Sequence, residues 1–129
     1  MKYFLLIACV SVAISSYSQS EFDQRLTAKF SEEQLQDYRQ NHPAVLAYWN
    51  FYLENSYEIA SNLPMEKLNG NDLPTIKLRN PDKFNIFESD LHPDGYSTKY
   101  FRIKGSNDVL ILFSKSEIAE RFNAHRKTL

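Results

Sequence analysis

Around residues 69–74 the hydrophobic spacing of this chain changes from a helical period to a strand period. That change limits the fold more than any other feature. Before it, Phe22, Leu26 and Phe30 recur at four-residue spacing. Ser31-Glu32-Glu33-Gln34 then reads as a capping box, with Leu35 and Tyr38 on the next apolar face. Pro43 fits the first turn of a further helix, capped by Asn41 or His42. This helix is expected from Ala44 to Ala60, with Leu46, Trp49, Leu53, Tyr57 and Ala60 forming one seam. After Asn69-Gly70-Asn71-Asp72 and Pro74, short alternating segments take over: 75–78, 84–87, 96–104 and 109–113. His92-Pro93-Asp94-Gly95 and Gly105-Ser106-Asn107-Asp108 supply the turns. Ser114-Lys115-Ser116-Glu117 reads as a second capping box, opening a last helix running to about His125, with Arg126 and Lys127 at its C-terminal end. Helices followed by strands predict an α+β domain: N-terminal helices packed with a small antiparallel sheet of three to four strands, and a C-terminal helix.

The first residues read as an address. Lys2 precedes the apolar run Phe4–Ile14, and Ser16 and Ser18 place small residues before a cleavage point at Ser18-Gln19. An apolar run of that length is too short to span a bilayer, which takes roughly 20 residues. The expected organisation is a signal peptide over 1–18 and a single domain over 19–129. The mature chain would then have no transmembrane segment and would lie in a periplasmic or secreted location. Leu6-Ile7-Ala8-Cys9 imitates a lipobox, but cleavage there would put apolar residues 10–14 where a polar tether is expected. The segment ending in Ser-Tyr-Ser-Gln resembles the export signals of Bacteroidota envelope proteins, and that resemblance implies a mature chain beginning at Gln19. Cleavage would also discard the chain's single cysteine, leaving a thiol-free domain held by its core.

Charge narrows the partners. The net charge of −1 gives no field that would draw nucleic acid. Residues 19–62 are acidic on balance and residues 63–129 are slightly basic, an asymmetry typical of complementary packing faces. Catalytic signatures are missing as well. The glycines, Gly70, Gly95 and Gly105, stand in turn contexts and none belongs to a phosphate-cradling loop. No G-x-S-x-G elbow or H-E-x-x-H pair occurs. Glu54 and Glu58 would share one helix face as solvent-facing charge.

Two constellations remain. Glu88, Asp90, His92 and Asp94 would project to one side of an extended chain, where oxygen and imidazole donors suit a divalent cation. Against this, Pro93 interrupts regular alternation. Tyr48, Trp49, Phe51 and Tyr52 surround more than one side of their helix, and Tyr96 and Tyr100 are expected on the outward side of a strand. Aromatic residues left partly exposed in this way dominate contact energetics. The reading that follows is a non-catalytic interaction module without a cofactor, its partner another envelope protein. An alternative is a small-ligand or glycan binder using an aromatic-lined cleft between the 43–61 helix and the sheet. A metal-assisted hydrolase on 88–94 comes third.

Overall fold

A computed structural model describes residues 22–64 and 73–128. The export segment, its cleavage point and Cys9 therefore lie outside the described residues. The chain divides into two compact units, residues 1–50 and 51–129. Among the described residues no helix is long and apolar enough to cross a membrane.

In the first unit a short 3-10 turn, Gln24–Ala28, is started by Asp23, whose carboxylate accepts the Arg25 backbone N–H. Helix α1, Glu32–Asn41, carries the predicted capping box in full: the Ser31 side chain accepts from the Gln34 N–H, and the Gln34 side chain accepts from the Ser31 N–H. Two of the four orphan donors at that helix end are thereby satisfied. Helix α2, Pro43–Asn55, follows with Pro43 at its first position. Leu26, Leu35 and Leu46 are buried, one from each element, as the helical spacing predicts.

The boundary between the units falls within α2, and the expected helix to Ala60 stops early. Asn55 Nδ2 donates to the Phe51 carbonyl at 2.8 Å and closes the helix. Tyr57–Ser61 is instead a strand, β1. Tyr57 and Ala60 fit the helical seam, but Tyr57 and Ile59 equally fit a period of two, and pairing with the C-terminal part of the chain decides between them. Glu54 and Glu58 consequently stand on different elements, both exposed.

The second unit is built on a four-stranded sheet. Its strands are β1, β2 (Thr75–Ile76), β3 (Lys99–Ile103) and β4 (Asp108–Leu112), in the order β1-β4-β3-β2. Both β4 pairings are antiparallel, whereas β2 lies parallel to β3. The fold is α+β, with a mixed rather than wholly antiparallel sheet. The register aligns Ile59, Leu110 and Phe101 across three strands, and likewise Tyr57, Leu112 and Lys99. Since partners across a sheet share a face, Leu110, Leu112 and Ile103 form the core side, each at most 3 % exposed. The other side carries Glu58, Ile111 and Tyr100 in one row and Ala60, Val109 and Arg102 in the next.

Helix α3, Lys115–Lys127, completes the fold, burying Ile118 and Phe122. Ser114 caps it by accepting the Glu117 N–H at 3.2 Å, but the expected capping box is only half formed, because the Glu117 carboxylate accepts from Thr98 and Arg121 instead. The segment 84–87, expected as a strand, instead links one tight turn to the next and enters the second. Asn80 and Asn85 each accept the N–H two residues ahead, starting 3-10 turns at Pro81–Lys83 and Ile86–Glu88. Local side-chain hydrogen bonding by asparagine outcompetes the ladder there.

Candidate interaction surfaces

The aromatic residues of α2 divide among separate neighbourhoods. In the first unit, Trp49 packs against Phe30 at 5.4 Å and against Tyr48 at 5.1 Å, and Phe30 meets Tyr38 edge-on at 5.5 Å. The Lys29 ammonium lies 5.2 Å from the Trp49 ring centroid and 5.5 Å from that of Phe30. A cation within about 6 Å of an aromatic face is held by the ring quadrupole. These rings therefore already hold a cation supplied by the chain itself. Tyr48 and Trp49 remain half-buried, and burial pushes the Tyr48 phenol above its ordinary range.

Phe51 and Tyr52 belong to the second unit and act there as packing residues. Phe51 contacts Phe122 at 5.4 Å and the His125 ring at 5.2 Å, joining the end of α2 to α3. Tyr52 is buried and stacks almost parallel on Phe87, at 5.5 Å and 8°. Their partners are distant in sequence, so helical spacing alone could not separate them from Tyr48 and Trp49.

Tyr96 and Tyr100 stand apart from this packing. Tyr100 is 36 % exposed on the outer side of β3, and Tyr96 is 91 % exposed. Tyr96 precedes β3 in a loop that is firmly attached. The Asp94 carbonyl accepts the Lys115 N–H at 2.7 Å and the Gly95 carbonyl accepts the Ser116 N–H at 3.1 Å. On the far side of the tyrosine, Thr98 Oγ1 donates to Glu117 Oε2 at 3.2 Å. Pro93 is buried beneath the loop. The free N–H groups at the start of α3 thus hold the loop before Tyr96, and the Glu117 carboxylate holds it after Tyr96.

The four residues considered for a cation are not brought together. Glu88 ends a 3-10 turn, while Asp90, His92 and Asp94 are exposed in non-repetitive backbone. Asp94 Oδ1 accepts the Gly95 N–H at 2.9 Å, the local bonding expected of an aspartate in a turn. Among the described residues no three His, Cys, Asp or Glu side chains converge on a common point. The alternation that would align the four requires an extended strand, and this segment forms none.

A groove of about 450 Å³ escaped the sequence reading. Lys77, Arg79, Asn80, Lys83, Phe84 and Glu88 line it. The closely spaced cations of 77–83 are its trace in the sequence, and two asparagine-capped turns fold the chain around them. A second cavity of about 410 Å³ lies among Leu63, Arg102, Ser106 and Val109. Neither has an aromatic residue of 48–52 in its lining, so neither is the aromatic cleft expected between the 43–61 segment and the sheet. Comparison with protein-family models, with curated proteins and with solved structures finds no match to this chain.

Proposed function

We propose that the chain is exported by its first 18 residues and that the remainder is a non-catalytic interaction module, docking another envelope protein at Tyr96 and Tyr100. One observation carries this reading. Tyr96 is 91 % exposed on a loop whose backbone is bonded to the first turn of α3. A large side chain left in water while its backbone is fixed loses little conformational entropy when a partner covers it, which is how aromatic hot spots contribute affinity. Tyr100 and Ile111, paired across β3 and β4 on the outer sheet side, add apolar area.

A photoreactive phenylalanine analogue placed at position 96 in cells tests this. The expected result is a discrete crosslinked species from position 96, reduced by Tyr100→Ala and missing from a probe at exposed Thr27. Adducts of equal yield from both positions, or none from 96, would sink the docking surface. Export is tested separately by the mass of the mature chain, which should begin at Gln19.

A further inference from the structure

Lys77, Arg79 and Lys83 surround one groove, and no ion pair or side-chain hydrogen bond engages any of the three among the described residues. All three are exposed. The wall they share is set by buried residues: Phe84, Asn85 and Ile86 are each at most 8 % exposed and anchor the two turns that curl the chain. Asn80 Oδ1 accepts the Asp82 N–H, which fixes the amide and leaves its Nδ2 N–H groups as donors for a ligand. Glu88 is the one carboxylate in the lining, and no hydrogen bond or ion pair is formed by its side chain. Three cations and an amide donor against one carboxylate give a groove that favours acceptors carrying more than one negative charge. Its volume of about 450 Å³ falls within the span of small-molecule sites, roughly 300–1,000 Å³.

We propose that this groove binds a small multivalent anion bearing carboxylate or phosphate groups. Lys77, Arg79 and Lys83 supply the charge, and Asn80 adds a neutral donor. Arg79 offers the planar fork that matches either oxyanion with two parallel hydrogen bonds. Phe84 contributes an apolar surface to the lining. The site is independent of the tyrosine surface, because neither Tyr96 nor Tyr100 lines it.

Amide NMR titration of the mature protein with pyrophosphate and with citrate tests the proposal. Saturable shifts confined to residues 77–89 are expected. Arg79→Gln with Lys83→Gln should weaken binding about tenfold or more, whereas Glu88→Gln should tighten it several-fold by removing the opposing charge. Lys127→Gln and Tyr96→Ala should leave it unchanged. A gain of affinity in the Glu88 variant cannot come from misfolding, so the proposal stays testable even if the double variant folds poorly. Preference for pyrophosphate identifies phosphate as the ligand group, and preference for citrate identifies carboxylate. Shifts that do not saturate, that spread over the basic residues of every element, or that ignore the Glu88 and Arg79 substitutions would overturn it.

Discussion

Thr98 Oγ1 donates to Glu117 Oε2 across 3.2 Å, the side-chain link in a clamp otherwise made of backbone groups. Glu117 also accepts from Arg121 at 2.8 Å, one turn further along α3. Replacing Thr98 by Val keeps the shape and removes the donor. We expect a cost of about 0.5–1 kcal/mol, the range for a partly exposed hydrogen bond, with faster amide exchange at 95–98. Ser114→Ala removes the helix cap itself and should cost about 1–2 kcal/mol. Urea denaturation and hydrogen exchange measure the two effects.

Ser56 sits at the point where α2 gives way to β1, fully buried, with its hydroxyl unpaired among the described residues. Its carbonyl accepts the Phe113 N–H at 3.0 Å and its own N–H reaches the Tyr52 carbonyl at 3.1 Å, so the backbone is satisfied while the side chain is not. A buried hydroxyl without a partner costs roughly 1–3 kcal/mol. Ser56→Ala should therefore raise stability by about 1 kcal/mol, whereas Ser56→Leu should lower it through overpacking. Paired denaturation curves of the two variants distinguish a small-residue requirement from a polar one.

The Arg25 guanidinium donates through Nε and Nη2 to both oxygens of Asp23, the shortest contact being 2.7 Å. This bonding holds the Asp23 carboxyl below its ordinary value of 3.8, against an opposing push from partial burial. A carboxyl lowered on folding adds stability that is present above its unfolded value and lost as pH falls through the lower folded value. The first unit should accordingly lose stability as pH drops below roughly 4, and Asp23→Asn should flatten that dependence. The effect is small, because both side chains are about one-third exposed. Acid titrations of stability, run on the wild type and the variant, provide the comparison.

Gly105 adopts φ +83° in the turn between β3 and β4, a region that side chains disfavour. Gly105→Ala should cost about 1 kcal/mol even though no atom obstructs the added methyl. At Gly95 the added methyl also meets nothing within 4 Å and φ is not positive. Gly95→Ala should be neutral or stabilising by up to about 1 kcal/mol. Thermal unfolding of both variants checks the contrast in sign.

Local signals were legible wherever neighbouring residues settle the outcome. The Ser31 capping box, the Ser114 cap, the β3–β4 turn and the alternation of β3 depend on residues a few positions apart. Elements that depend on remote partners were not legible. Tyr57–Ser61 satisfies both helical and strand spacing and becomes β1 only because β4 accepts it. The two-residue β2 is too short for periodicity to reveal, and its parallel pairing cannot be read from it. The same division holds for the surfaces. Tyr100 is outward by alternation, but the packing of Phe51 and Tyr52 needed Phe87, Phe122 and His125 to be seen.

The strand order β1-β4-β3-β2 sets a timetable for a chain made from its N-terminus. Tyr57 has its register partner in Leu112, close to the end of the sequence. As the chain emerges, β1 has no strand to join until β4 follows it, whereas β3 and β4 are separated by one short turn and pair at once. The β3–β4 hairpin is therefore the part able to form early, since loops of low sequence separation close with the least entropy loss. β1 is recruited last although it appears first. Until the final third of the chain is available, β1 has no partner strand, and its backbone hydrogen-bonding groups must be satisfied by water.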